Sequence, residues 1–170
     1  MKLAIISDTH LSAGLGAAEG RRALPDGTLD RLRAADAILH AGDLMREPVL
    51  DELLALGPPV HVIHGNADDD GVRARVPALL TMEFEGVTVV MTHNGGPADG
   101  RLARMRAKYP ESDAVVFGHS HIPLHETSDD GAFQIFNPGS AADRRRAPNH
   151  TMGEALIRGG KIAFAHVDLD

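Results

Sequence analysis

Five short apolar runs recur along this chain, and each ends in a cluster of carboxylate, amide or imidazole side chains. Leu3-Ala4-Ile5-Ile6-Ser7 leads into Asp8-Thr9-His10, Ala37-Ile38-Leu39 into His40-Ala41-Gly42-Asp43, and Val60-His61-Val62-Ile63 into His64-Gly65-Asn66-Ala67-Asp68. Val87-Thr88-Val89-Val90-Met91 leads into Thr92-His93-Asn94, and Ala114-Val115-Val116-Phe117 into Gly118-His119-Ser120-His121. Runs of this length, rich in Val and bounded by Gly and polar residues, read as buried strands. Ligands of open α/β sheets bind just beyond the carboxyl ends of the strands. One rim should therefore gather Asp, His and Asn side chains from segments far apart in sequence, as a metal site requires.

The chain contains no cysteine, so thiolate ligands and disulfides are both excluded, and a metal would be held by nitrogen and oxygen alone. At 170 residues, with 43% apolar and 24% charged content, one domain spanning residues 1–170 is expected. A net charge of -7 argues against polymeric nucleic acid as a partner. Met1-Lys2-Leu3 leads directly into a strand without the apolar stretch of a secretory signal, and no run approaches the roughly 20 apolar residues of a membrane span. The expectation is a cytoplasmic protein with no membrane partner. Nothing in the sequence speaks to its oligomeric state.

Between the strands lie amphipathic segments of helical length: Asp26 to Ala35, Glu47 to Leu56 with Pro48 near its start, and Pro97 to Lys108 with Pro110 beyond its end. After Phe117 the pattern changes to strands separated by turn signals, Ser128-Asp129-Asp130-Gly131 and Gly159-Gly160, and Glu85-Gly86 marks a similar hairpin earlier. A β-α-β half followed by an antiparallel half suggests two sheets packed face to face with helices outside. Leu11 to Pro25, rich in Gly and Ala, reads as a mobile loop or a frayed helix. Its glycines, Gly14, Gly16 and Gly20, do not form a phosphate-binding loop, because no Gly-Lys-Ser or Gly-Lys-Thr follows them.

In an extended segment, residues two apart point the same way, so Asp8 with His10 and His119 with His121 are expected to act as pincers. Either pair alone would pass for a polar loop. Five clusters at five strand exits point instead to a cation, because burying so many carboxylates and imidazoles without one is costly. The ordered set Asp8-x-His10, Gly42-Asp43, Gly65-Asn66-x-Asp68, His93 and Gly118-His119-x-His121 resembles the calcineurin-like metallophosphoesterase superfamily, in particular its small bacterial and archaeal phosphodiesterases. The likeness covers nearly the whole chain, Asn137-Pro138-Gly139-Ser140 included. It implies an α/β fold, a four-layer αββα sandwich of two mixed sheets, and two metal ions. By the same likeness Asp8, His10 and His121 hold the first ion, Asn66, His93 and His119 the second, and Asp43 bridges both.

The chemistry suits that assignment. A carboxylate shares its oxygens between two cations where a neutral imidazole serves one, and Asn66 adds an oxygen donor without adding charge. Two cations about 3.5–4 Å apart can hold a bridging hydroxide in line with phosphorus. Asp43, Asn66 and His93 are thus the expected catalytic residues, with Asn66 and Arg145 contacting substrate. Asp68 and His40 are expected behind the ligands, Asp68 by accepting a hydrogen bond from a ligand imidazole. Mixed nitrogen and oxygen donors suit Mn, Fe, Ni, Co or Zn better than Mg, and Mn is the metal expected.

Many members of the superfamily place a histidine directly after the Gly-Asn pair, where it can protonate the leaving group, and here that position is Ala67. Small phosphodiesters are therefore favoured over alkyl monoesters. A phosphomonoesterase or pyrophosphohydrolase is the second enzymatic reading. A metal-loaded interaction scaffold is the alternative from another class, since the fold also occurs in a trafficking-complex subunit. His64 is a weak candidate for a substitute acid, and His61, His125, His150 and His166 read as structural. The basic run Arg144-Arg145-Arg146 is either a solvated face or an arm that touches substrate.

Overall fold

The first strand, β1 (Lys2–Ile6), sends Leu3 and Ile5 to one side and Ala4 and Ile6 to the other, and all four are wholly buried. A strand sealed on both faces must lie between layers. The computed structural model describes residues 1–16 and 22–170. In it β1 sits at the centre of a five-stranded sheet with β2 (Ala37–His40), β3 (Val60–Val62), β9 (Thr151–Arg158) and β10 (Lys161–Asp168), in the order β10-β9-β1-β2-β3. β1, β2 and β3 run parallel, whereas β9 and β10 are antiparallel to their neighbours.

The second sheet has the order β4-β5-β6-β8-β7, from β4 (Leu79–Phe84), β5 (Val87–Thr92), β6 (Ala114–Val116), β7 (Leu124–Thr127) and β8 (Gln134–Asn137). Its centre is parallel and its two edges are antiparallel. Both sheets are therefore mixed. Leu3, Ile5, Ala37 and Leu39 of the first sheet share a core with Val87, Val89, Met91, Ala114, Val116 and Phe136 of the second.

Two further apolar layers lie outside the sheets. α1 (Thr28–Arg33), α2 (Glu47–Leu54) and α3 (Asp70–Arg75) bury Leu32, Val49, Leu50, Leu53 and Val72 against Ala4, Ile6, Ile38 and Val62. α4 (Arg101–Lys108) buries Met105 against Val90, Val115, Phe117 and Ile135. Three cores between four layers give the αββα sandwich, and the period-two alternation of each central strand feeds two cores at once.

Some local expectations need correction. α3 was not anticipated, because six residues with one buried apolar side chain give too short a pattern; its start is marked by Asp69, whose carboxylate caps the Val72 N–H. α4 begins at Arg101 rather than near Pro97, because Gly100 at φ 63° closes the preceding turn. α1 and α2 are each shorter than their amphipathic segments. The Glu85-Gly86 and Gly159-Gly160 turns do join β4 to β5 and β9 to β10, with both central residues at positive φ as two-residue hairpins require. Within Leu11 to Pro25, the described residues form no helix. Leu11, Leu15 and Leu24 are buried, and the Leu15 N–H donates to Glu52 Oε2. Residues 17–21, Gly20 among them, lie outside the described part.

Candidate metal centre

The sandwich brings the ends of five parallel strands to one rim. Asp8 and His10 follow β1, Asp43 follows β2, and Asn66 follows β3 in the first sheet; His93 follows β5, and His119 with His121 follow β6 in the second. Backbone bonds knit these exits together: Asp8 donates to the Gly42 carbonyl, His10 to the Asp43 carbonyl and Gly118 to the His93 carbonyl. The His119 N–H crosses between the sheets to the Asp8 carboxylate.

The pincers close in an unexpected way. Asp8, His10, Asp43, His119 and His121 all have φ between 48° and 71°, the left-handed region, instead of the extended backbone that the x-spaced pairs suggest. Each such residue costs roughly 1–2 kcal/mol relative to ordinary backbone. Strain of this kind persists where surrounding structure over-determines it and clusters at functional sites.

The donors converge in two groups. His10 Nε2 and His121 Nε2 face one another at 3.3 Å, with Asp8 Oδ1 3.5 Å from the latter. Asn66 Oδ1 lies 3.2 Å from His93 Nε2 and 2.8 Å from His119 Nδ1. Asp43 Oδ2 stands between the groups, 3.6 Å from His10 Nε2 and 3.3 Å from His93 Nε2. The sets Asp8, His10, His121 and Asp8, Asp43, His93 each bring their donor atoms within 4.8 Å of one another.

Ring orientation fits a cation. His93 donates from Nδ1 to the Ala41 carbonyl at 2.8 Å, and His121 donates from Nδ1 to the Asp143 carbonyl. Each carbonyl holds the Nδ1–H outward, which leaves Nε2 turned to the centre. Burial raises the Asp8 carboxyl to about 6. Burial would raise Asp43 too, but the hydrogen bonds from His93 and the Ala67 N–H outweigh it and bring its carboxyl down to about 2. The imidazole of His93 is shifted upward, its own burial being outweighed by the Asp43 and Asp8 carboxylates. Two buried carboxylates thus favour positive charge at the centre.

Behind the donors the structure departs from expectation at Asp68. Its carboxylate accepts no imidazole N–H; it accepts three backbone N–H groups, from Asp43 at 2.9 Å, Met45 at 2.6 Å and Gly65 at 2.6 Å. The His93 imidazole uses the Ala41 carbonyl instead. His40 is buried, accepts the Gly42 N–H at Nδ1 and pairs with Thr9 Oγ1 at 3.1 Å, and burial lowers it to about 4.

Arg73 was missed altogether. From α3 it donates to the carbonyls of Gly65, Asn66 and Asp68, bracing the loop that carries Asn66. Its only sequence signal was a basic residue a few positions beyond the loop. Asn137-Pro138-Gly139-Ser140 reaches the rim through side chains: Asn137 Nδ2 donates to the Gly118 carbonyl, and Ser140 Oγ to the Asp8 carbonyl. Gly65 and Gly118 are spaces that no side chain can enter, since a Cβ there would lie 2.2 Å from Asp43 Oδ1 and 2.0 Å from Ser7 Oγ respectively.

Of the remaining candidates, His64 turns Nδ1 to the Gly65 carbonyl and joins no donor group. Ala67 is half-buried, with its N–H donated to Asp43 Oδ1 at 2.7 Å. Arg145 lies on an ion pair with Asp143, whereas Arg144 donates to the Ala147 carbonyl. No helix among the described residues is long and apolar enough to cross a membrane.

A probable metallophosphoesterase of Methanothermobacter thermautotrophicus is 31% identical over 143 residues, covering 82% of this chain and 77% of its own. Among solved structures, Entamoeba histolytica Vps29 complexed with zinc superposes with a TM-score of 0.74 at 20% identity, each chain being covered in full. A structure described as a novel archaeal phosphodiesterase gives 0.70 at 19% identity, over 98% of this chain and 100% of the other. These likenesses to solved structures speak for the fold. Residues 1–158 match the calcineurin-like phosphoesterase superfamily domain, and the chain belongs to that family of metal-dependent phosphoester hydrolases.

Proposed function

We propose that the chain is a single metallophosphoesterase domain over residues 1–170 that hydrolyses small phosphodiesters with two divalent cations. The position of Asp43 carries the reading: one oxygen lies within 3.6 Å of a histidine from each donor group. Asp8, His10 and His121 would hold the first cation, Asn66, His93 and His119 the second, with Asp43 shared. Such cations, when bound, lower the pKa of coordinated water and neutralise charge on the phosphoryl oxygens. The donor set of imidazole, carboxylate and amide fits Mn best, with Fe, Ni, Co or Zn as alternatives.

The chain's own residues do the rest. Asp43 and His93 orient the reacting oxygen by fixing where the shared charge sits. Asn66, exposed at the rim and braced by Arg73, is oriented both to ligate and to meet a phosphoryl oxygen. No described side chain within the donor groups is a ready proton donor at position 67, so leaving groups that depart without protonation are favoured. That supports diesters with good leaving groups over alkyl monoesters. The structure described as an archaeal phosphodiesterase has the same fold, which is consistent with this preference. We place the protein in the cytoplasm and take a small phosphodiester, not a nucleic-acid polymer, as its substrate.

The Vps29 structures share the fold, but a scaffold has no need of a complete set of seven donors, so catalysis is the better reading. The test is direct. Metal-free protein reconstituted with Mn should turn over bis(p-nitrophenyl) phosphate faster than p-nitrophenyl phosphate; the reverse order would overturn the diester assignment, and no turnover of either would favour the scaffold.

A further inference from the structure

One residue behind the donors joins the centre to two cationic side chains at the rim. Asp143 accepts the His121 Nδ1–H through its carbonyl and stays on the donor side through its N–H, which donates to Ser140 Oγ at 2.8 Å. Its carboxylate reaches outward: Oδ2 is 3.1 Å from Arg22 Nη1 and 3.6 Å from Arg145 Nε. The carboxylate is largely covered, while both guanidinium side chains remain about half exposed. One negative charge shared by two guanidinium groups leaves one positive charge over. Among the described residues neither arginine has another acidic partner.

Both arginines stand beside the centre, because the Asp143 Oδ2 that they approach lies 4.0 Å from His121 Nδ1. Surface ion pairs add little to stability, typically about 0–1 kcal/mol, so fold stability is a poor explanation for gathering two arginines on one carboxylate here. Arginine is suited instead to two-pronged recognition of carboxylate or phosphate.

We propose that Arg22 and Arg145, latched side by side on Asp143, form a clasp for a second anionic group of the substrate, next to the phosphoryl group being cleaved. This rests on the diesterase reading and narrows it: the preferred phosphodiester carries a carboxylate or phosphate on its non-leaving arm. Arg145 contacts that group directly, and Asp143 is a positioning residue that sets both guanidinium groups at a fixed distance from His121.

The test uses the Mn-loaded protein and two p-nitrophenyl diesters, one of methyl phosphate and one of phosphoglycolate, which differ by a carboxylate. The wild-type KM for the glycolate ester should be about tenfold lower or better, the size of one charge-assisted hydrogen bond. In Arg22→Gln, Arg145→Gln and the double variant that advantage should fall stepwise towards unity, with kcat within a few-fold and metal content unchanged. Equal KM values in wild type, or an advantage that survives in the double variant, would overturn the clasp. Calorimetric binding of phosphoglycolate itself separates the two readings. Arginine-dependent binding without ester turnover would leave the clasp standing and remove the diesterase; turnover indifferent to both arginines would do the opposite.

Discussion

The carboxylate of Asp68 accepts the backbone N–H of Asp43 at 2.9 Å, so a buried acid that belongs to neither donor group sets the backbone from which the Asp43 carboxylate projects. The same Oδ2 accepts Gly65, and Oδ1 accepts Met45. Two loops from neighbouring parallel strands are thereby locked into one register.

Asp68→Asn should therefore be damaging although it preserves shape. With its oxygen kept toward Asp43 and Gly65, its amide N–H₂ would oppose the partly buried Met45 N–H and leave it unpaired, at about 1 kcal/mol or more. Chemical denaturation should show that loss. Metal titration should show weaker binding, by about 10- to 100-fold, as for other groups that hold ligands in place. Unaltered stability would mean that the triple acceptor matters little.

Asp43→Asn retains an oxygen for the Ala67 N–H, so the fold should survive. Metal stoichiometry should fall below two per chain, and hydrolysis should drop by at least about 100-fold, the upper end of what loss of a mere supporting group costs. Elemental analysis with steady-state kinetics checks both. Survival of both quantities would remove Asp43 from the shared position.

Asp8 makes a prediction about pH in the metal-free protein. Burial raises its carboxyl from 3.8 to about 6, so the folded state holds the proton more tightly than the unfolded one. Its contribution to stability is fully present below pH 3.8 and is lost as pH rises through 6. Asp8→Asn should then stabilise the metal-free fold above pH 6, by up to roughly 3 kcal/mol from a shift of this size. The advantage should shrink as pH falls towards 4. Thermal melts of the two proteins across pH 4–8 test the sign, and excess metal should reverse it at neutral pH by stabilising only the wild type.

Arg73 braces three carbonyls of the Asn66 loop, a reach that the point charge of lysine cannot reproduce. Arg73→Lys and Arg73→Gln should both weaken metal binding by about 10- to 100-fold. Equal loss in the two variants would identify geometry, not charge, as the cause; full rescue by lysine would say the reverse.

Ala67→His adds a proton donor at a half-buried position beside the donors, and the Ala67 N–H that holds Asp43 belongs to the main chain and is kept. Monoester turnover should rise by about 10² relative to diester turnover, the lower end of what a general acid supplies. Paired kcat/KM values for the two p-nitrophenyl esters measure this, and an unchanged ratio would show that the missing histidine does not set substrate preference.

How much of this was written along the chain depends on how locally each feature is encoded. The five strands and the polar residues at their exits were legible because a buried strand is apolar for its whole length and its exit is not, a contrast confined to a few consecutive residues. That Asp8, His10, Asp43, Asn66, His93, His119 and His121 would reach one rim was legible for the same reason. Hairpins at Glu85-Gly86 and Gly159-Gly160 could be read because positive φ at both turn positions is a local demand. α3 and the left-handed backbone at Asp8, His10, His119 and His121 could not: six residues carry little periodicity, and φ at those positions is imposed by the bonds that tie the exits together.

Asp68, Arg73 and Asp143 mark the other boundary. Nothing in their neighbours' identities says that Asp68 would receive three backbone N–H groups in place of an imidazole, or that Asp143 would carry two arginines, one of them 121 positions earlier. Composition and pattern along the chain were enough for the layers and the kinds of donor. Which of these side chains converge, and which polar groups stand behind them, was decided only when two sheets met face to face, because hydrogen bonds and Coulomb forces act over a few ångströms of space and take no account of separation along the chain.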